Sequence, residues 1–170
     1  MDIYGEVENI CSAYGQRIFL LGGETALQKG EGVLREAIKA TKLEIVETAV
    51  YGKDCTMANT EKWAEHASRL QVDMIFGMGG GKALDTAKAV ANKLNLPIFT
   101  FPTIASTCAA TTALSVVYKD NGDFDRFEFF NRPAHHSFIE LGIIAEAPAK
   151  YLRAGMGDTC LLYTSDAADD

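Results

Sequence analysis

The stretch Met74 to Lys88, MIFGMGGGKALDTAK, holds the residues whose types and spacing most directly offer chemistry. Gly79, Gly80 and Gly81 in succession let the backbone approach an anion closely and take conformations that a side chain forbids. A helix that starts there, with Lys82 and Asp85 in its first turn, adds unpaired N–H groups and a partial positive charge. That combination suits a diphosphate. The spacing departs from the dinucleotide fingerprint G-x-G-x-x-G, and the P-loop pattern fails because Phe76 stands where its first Gly should be and Ala83 where Ser or Thr would hold magnesium. A kinase or NTPase reading is therefore weak. The competing reading is a strand-to-helix turn with no ligand. Three consecutive glycines count against it, since each costs about 0.5–1 kcal/mol of chain entropy.

Other candidate groups offer less. His135 and His136 are adjacent, so on a strand they face opposite sides and cannot form a metal pair. They and the helical His66 are expected to serve the surface or the core. Cys11, Cys55, Cys108 and Cys160 contain no C-x-x-C pair, so neither a disulfide framework nor a zinc knuckle is suggested and reduced thiols are expected.

The elements that must position the glycine turn alternate between strand and helix. Asp2 to Tyr14 carries Ile3, Val7, Ile10 and Cys11 at helical spacing. Arg17 to Leu21 is a buried-strand run ending in Gly22-Gly23, after which Thr25 can cap a helix with Leu27, Val33, Leu34, Ala37 and Ile38 on one face. Leu43 to Val50 is a second strand, and Asn59 to Leu70 a helix with Trp63, Ala67 and Leu70 facing in. Val72 to Phe76 is the third strand. The helix after the glycine turn buries Leu84, Ala87, Ala91 and Leu94 and leaves Lys82, Asp85, Lys88 and Asn92 outside. Ile98 to Phe101 is the fourth strand. Continuous apolar strands separated by helices imply a parallel sheet covered on both faces, with ligands at the carboxyl ends of its strands. Both glycine turns and the polar stretch Pro102 to Thr112 follow strands directly and should share that rim. Beyond it, Leu114 to Tyr118 and Phe124 to Phe130 flank a turn-rich connection and read as an antiparallel hairpin. Phe138 to Ile144 reads as a further strand, and Pro148 opens a short helix toward Gly155.

The whole chain sets bounds. Its 170 residues, 48% hydrophobic and 23% charged, suit one α/β domain with a sizeable core. A net charge of −7 argues against nucleic acid or an anionic membrane as partner. No apolar run approaches the roughly 18 residues of a membrane span and no signal-peptide pattern opens the chain, so the cytoplasm is the expected compartment.

Three segments, FGMGGGKALDTAKAVA, LPIFTFPTIASTCAATTALSVVY and APAKYLRAGMGD, closely resemble glycerol dehydrogenases and their relatives among the metal-dependent alcohol dehydrogenases of the iron-containing type. The resemblance runs from about Tyr14 to Asp158. It implies a Rossmann-like NAD(P)-binding α/β domain over residues 1–157 that lacks its first strand, and the start of an all-helical metal-binding domain at 158–159. It also implies NAD or NADP as cofactor, Zn²⁺ or Fe²⁺ in the complete enzyme, a small-molecule alcohol, polyol or 2-hydroxy acid as substrate, and a homo-oligomer. Gly79, Gly80, Gly81 and Lys82 then correspond to the diphosphate turn. Thr103, Ser106, Thr112, Leu114 and Tyr118 match positions that contact the cofactor, and Asp158 in GMGD matches the first metal ligand. The polyol enzymes of the family place an Asp where this chain has Cys108, and the STCAA form is more similar to hydroxycarboxylate dehydrogenases. Removing a charge that would repel a carboxylate by about 4 kcal/mol at ~4 Å and an effective dielectric of about 20 should admit 2-oxo acids and penalise glycerol. Where NAD-selecting members carry an Asp near the adenosine ribose, the candidates here are Gly23 and Glu24. A dehydroquinate-synthase-like lyase shares the fold and a similar glycine turn, and a nucleotide-binding module without catalysis is a third reading. Cys160 to Asp170, CLLYTSDAADD, resembles a translated sequencing adapter and is set aside as a non-native tail.

Overall fold

The computed structural model describes residues 3–164. A short helix α1 (Val7–Cys11), with a 3₁₀ turn on either side, leads into β1 (Arg17–Gly22), α2 (Glu24–Ile38), β2 (Glu44–Val50), α3 (Met57–Leu70), β3 (Met74–Gly79), α4 (Gly81–Leu94) and β4 (Ile98–Pro102). Then come β5 (Leu114–Tyr118), β6 (Phe124–Phe129), β7 (His136–Ser137), α5 (Leu141–Ala145) and α6 (Ala149–Thr164). Five strands form a parallel sheet in the order β2-β1-β3-β4-β7, while β5 and β6 pair antiparallel as a separate hairpin. The α/β parallel sheet with a hairpin expected from the sequence is thus the observed architecture.

Alternating residues of each strand supply two cores. Ile18, Leu20, Met74, Phe76 and Phe99 point to the side covered by α1 and α2, where Leu27, Leu34 and Ile38 meet them. Phe19, Leu21, Ile75 and Ile98 point to the side of α3 and α4, against Ala64, Ala67, Ala87 and Val90. Each buried Leu, Ile or Phe contributes roughly 1.5–3 kcal/mol. The chain leaves β1 in one direction toward β2 and returns on its other side to β3, so the switch in strand order falls between the C-terminal ends of β1 and β3.

Several expectations are corrected here. The N-terminal helix is broken into 3₁₀, α and 3₁₀ turns, with residue 2 outside the described residues. β3 extends to Gly79, so Gly77 belongs to the strand. A Cβ there would lie 2.7 Å from that of Ala87, and its absence lets α4 pack directly on the sheet. α2 has Gly23 as N-cap with no side-chain cap, not Thr25, and Val33 is exposed. α3 begins two residues earlier than expected, because the Thr56 hydroxyl accepts from Asn59 N at 3.1 Å. Asp85 and Lys88 are buried, at 4% and 2% exposure, rather than solvated. Phe138 to Ile144 is not a strand: pairing covers only His136–Ser137, and the Glu140 side chain caps Gly142 N at 3.1 Å to start α5. α6 continues through Cys160 to Thr164, and residues 165–170 of the adapter-like tail lie outside the described residues.

The entry to β1 is pinned by one carboxylate. Asp73 Oδ2 accepts from Gln16 N at 2.7 Å and Arg17 N at 2.8 Å, and Gly15, at φ +135°, leaves room that a Cβ would take from the Asp73 side chain. The two backbone N–H groups hold the Asp73 carboxyl below its ordinary value of 3.8. A depressed acid stabilises the fold above its unfolded pKa and loses that contribution as pH falls through the folded one. Asp73→Asn is therefore expected to lower stability near neutral pH by about 1 kcal/mol, and by progressively less as pH falls below 3.8. Urea unfolding at pH 7 and pH 3 checks this. An equal loss at both pH values would assign the effect to packing.

Candidate functional site

The rim at the switch point is stitched from three loops. Gly23 N donates to Met78 O at 3.0 Å, Tyr51 N to Gly22 O at 2.9 Å and Thr103 N to Gly79 O at 3.2 Å. These bonds frame a cavity of about 610 Å³. Its floor is Gly23, Gly80, Gly81 and Thr103, and Tyr51 and Tyr151 stand at its sides. Gly79 lies beneath, at φ +147°, a conformation that favours glycine.

Both helices that begin on this cavity, α2 and α4, have glycine N-caps with no side-chain acceptor. α3, which does not line it, carries the Thr56 cap. In α4 the first intrahelical bond runs from Leu84 N to Gly80 O, which leaves the N–H groups of Gly81, Lys82 and Ala83 to a ligand or water. The arrangement can hold an anion at a helix N-terminus, as the sequence suggested.

Lys82 does not stand free. Its ammonium donates to the Asp54 carboxylate, whose side chain is 9% exposed, and lies 4.8 Å from the centre of the Tyr118 ring. The Asp54 hydrogen bond holds the Lys82 pKa above its ordinary value. Asp54 is fixed by a loop in which Asn59 Nδ2 donates to Tyr51 O and Asp54 O, and Trp63 Nε1 donates to Tyr51 O at 3.0 Å. Tyr118 N donates to Cys55 O at 2.8 Å and ties the hairpin to the same loop. Sequence reasoning missed Asp54, which sits in the loop after β2 with no pattern linking it to a lysine 28 residues away.

A second ion pair sets the hairpin on α4. Lys88 Nζ lies 3.0 Å from Asp85 Oδ1, as a charge contact that lacks hydrogen-bond geometry, and donates to Leu114 O and, at 3.3 Å each, to Thr112 O and Oγ1. Asp85 Oδ2 accepts from Val116 N at 3.2 Å, and its carbonyl accepts from the Ser115 hydroxyl at 2.8 Å. Burial pushes the Asp85 carboxyl up, while Lys88 and the Val116 N–H pull it down. Thr112 and Leu114 are thus held through their backbone by a buried clamp.

Of the residues singled out from the sequence, Gly80, Gly81, Lys82 and Thr103 border the cavity together, with Gly79 below them. Tyr118 joins them through Lys82. Ser106 and Cys108 lie outside the cavity wall on the loop after β4, where Cys108 is exposed and Thr107 Oγ1 comes within 3.2 Å of where a Gly81 Cβ would be. Asp158 sits on α6 one turn beyond Gly155, whose backbone rests on the Ala105 carbonyl. Among the described residues no three His, Cys, Asp or Glu side chains gather as a metal set, so Asp158 stands as a single carboxylate. His135 Nδ1 accepts from Ile98 N at 3.3 Å, and His66 Nε2 meets Glu47 Oε1 at 2.7 Å, which are structural roles. The sequence did not point to the opposite wall, where Ile143, Glu146, Ala147 and Tyr151 face the first glycine turn and Lys29 pairs with Glu146 at 3.1 Å. No described helix is long and apolar enough to cross a membrane.

Comparison with known proteins places this geometry among relatives. The family model described as iron-containing alcohol dehydrogenase matches residues 2–137. The chain is 34% identical over 157 residues to a glycerol dehydrogenase of Escherichia coli O6:H1, covering 92% of this chain and 42% of that protein. It is 50% identical over 86 residues to hydroxycarboxylate dehydrogenase A of Escherichia coli K12, covering 51% of this chain and 24% of the relative. The crystal structure of glycerol dehydrogenase from Schizosaccharomyces pombe superposes with a TM-score of 0.87 at 24% identity, covering 98% of this chain and 42% of that one. The chain thus spans about two fifths of the length of the relatives it matches over most of its own length.

Proposed function

Since the chain belongs to the iron-containing alcohol dehydrogenase family, we propose that it is the NAD(P)-binding half of a metal-dependent dehydrogenase acting on an alcohol, polyol or 2-hydroxy acid. The observation that carries this reading is the glycine-capped start of α4 opening into the cavity at the strand switch point. Gly80, Gly81, Lys82 and Thr103 would hold the diphosphate by backbone N–H, ammonium and hydroxyl, over the tight turn at Gly79. Ser106, Thr112, Leu114 and Tyr118 are the proposed further contacts. The chemistry such a cofactor would supply when bound is hydride exchange with the substrate carbon. Among the described residues no group of three metal-ligating side chains forms. Asp158 is proposed only as one ligand of a larger set that would hold Zn²⁺ or Fe²⁺.

The test is a fluorescence titration of the 170-residue chain with NADH and NADPH. Saturable binding of either is expected. Its absence in a folded chain would overturn the reading. Glu24 opens α2 at the cavity wall, with Lys29 beyond it, so the two cofactors should be discriminated only modestly. A carboxylate accepts from a ribose 2′-hydroxyl and repels a 2′-phosphate. Glu24→Gln should therefore narrow any NADH preference by about fivefold, the equivalent of roughly 1 kcal/mol. A preference of several hundredfold that survives this change would mean that another group selects the cofactor.

For the substrate, Cys108 carries the choice between polyol and 2-oxo acid. If Cys108 stays as exposed in the longer chain as it is here, the expected magnitude falls. At the dielectric of water, two charges ~4 Å apart repel by about 1 kcal/mol rather than 4, a factor of about five. In a chain that carries the metal-binding part, Cys108→Asp should lower kcat/KM for 2-oxo acids by that factor relative to neutral carbonyl compounds. Equal losses on both would show that position 108 does not select on charge.

A further inference from the structure

The β6 strand of the hairpin presents three phenylalanines and an edge that the cofactor reading does not use. Phe124, Phe127 and Phe129 are 52%, 53% and 74% exposed, and their rings follow one another along β6 with centroid separations of 5.1 and 6.3 Å. Leu114, Val116 and Tyr118 of β5 pair with them in register and continue the same apolar face, with a bulge at Val117/Tyr118. The opposite face turns Ser115 and Val117 toward α4. Among the described residues β6 has no partner on its outer side.

The hydrogen-bond phase fixes which groups that edge offers. Phe130 N donates to Ala113 O at 2.8 Å, so the pairs 113–130, 115–128 and 117–126 are the hydrogen-bonded ones. The N–H and C=O groups of Phe127 and Phe129 therefore point away from β5. Tyr118 N, outward-facing on the other side of the hairpin, meets Cys55 O in the same phase.

We infer that β6 is a self-recognition edge at which a second copy of this chain pairs antiparallel, centred on Phe127. In that register Phe127 faces its own copy as a hydrogen-bonded pair, and Arg126 stands opposite Glu128 of the second copy, twice. Slipping by two residues keeps the backbone phase but sets Arg126 against its own copy in one direction and Glu128 against its own copy in the other. Like charges directly opposite on a sheet are unfavourable and opposite charges favourable. The sequence Phe124-Asp125-Arg126-Phe127-Glu128-Phe129 thus admits one symmetric register and rejects its neighbours. The product is a four-stranded sheet in which the apolar faces of two hairpins become continuous, and the two-fold pairing closes the edge to further growth.

The test is sedimentation equilibrium of the 170-residue chain and of four variants, with circular dichroism to establish that each is folded. The unaltered chain should dimerise. Arg126→Glu and Glu128→Arg, each of which turns two attractive pairs into two repulsive ones, should weaken the dimer by roughly tenfold or more. The double exchange Arg126→Glu with Glu128→Arg should restore it. That rescue separates cross-strand pairing from the contacts Arg126 makes within its own chain, to Asp125 and Met57. A monomeric wild-type chain, a dimer indifferent to either single reversal, or a double variant no tighter than the singles would each overturn the proposal. A dimer abolished by Phe129→Ser yet indifferent to both charge reversals would assign association to the phenylalanine face instead of the edge, and would overturn it too. None of these outcomes depends on cofactor binding.

Discussion

Replacing Lys88 with methionine is expected to lower the unfolding free energy of the chain by about 3–5 kcal/mol, the cost of leaving one member of a buried ion pair alone. The side chain is 2% exposed and makes four polar contacts, to the Asp85 carboxylate and to acceptors on Thr112 and Leu114. Methionine fills similar volume, so the loss measures charge and hydrogen bonding more than cavity. Without the ammonium, the Val116 N–H is the one hydrogen bond left to the Asp85 carboxylate among the described residues. The pH dependence has a definite sign. Burial already pushes this acid up, and losing Lys88 pushes it further, so the variant gains protonated Asp85 as pH falls. A raised folded pKa penalises the fold above the unfolded value and not below it. The deficit should therefore be largest at pH 7 and shrink toward pH 4. Adding Asp85→Leu should recover part of the loss, since an apolar pair of similar volume is often neutral or better. Urea unfolding at both pH values provides the numbers. A deficit under about 1 kcal/mol would mean that the pair is wetter than its burial indicates.

This clamp is also where the sequence misled. The strands were legible because each is a continuous apolar run, and the rim was legible because its turns follow those runs directly. Asp85 and Lys88 are polar residues on an amphipathic helix, and helical periodicity assigns such residues to solvent. They are buried because the hairpin, nearly 30 residues further on, lies across them, and no local pattern encodes that. Phe138 to Ile144 failed for a different reason. A short apolar run carries no period that separates strand from helix, and the deciding feature is the Glu140 side chain closing on Gly142 N. Asp54 was hidden in a turn for want of any spacing rule linking it to Lys82. By contrast, the glycine run that opens α4 was legible, because three consecutive glycines are costly unless a turn or a ligand requires them. At α2 the sequence offered Thr25 as the cap, and the structure places Gly23 there with no side-chain acceptor.

Gly81→Val should cost the chain at least about a hundredfold in affinity for NADH, close to 3 kcal/mol, while leaving its stability within about 1 kcal/mol of the parent. The structure changes the reason for this expectation. Gly81 is the first residue of α4 and is not among the positive-φ glycines, and the nearest atoms a Cβ there meets are Thr107 Oγ1 at 3.2 Å, Ala109 Cβ at 3.8 Å and Thr107 Cγ2 at 4.0 Å. The fold thus tolerates a side chain at this position with a shift of a few tenths of an ångström, and valine has better intrinsic helix propensity than glycine. What valine obstructs is the space above the N–H groups of Gly81, Lys82 and Ala83, where the diphosphate is proposed to lie. The turn geometry resides two residues earlier. Gly79, at φ +147° and with Ala83 Cβ 2.9 Å from its would-be Cβ, should lose about 1–3 kcal/mol of stability as alanine, because strain and overlap add. The two variants therefore divide one turn into a residue needed for folding and a residue needed for binding. NADH fluorescence titration paired with urea unfolding reads both quantities on the same samples. A folded Gly81→Val chain that binds NADH as tightly as the parent would show that the glycine run serves only the packing of α4 on the sheet, and would remove the observation on which the dehydrogenase reading of this chain rests.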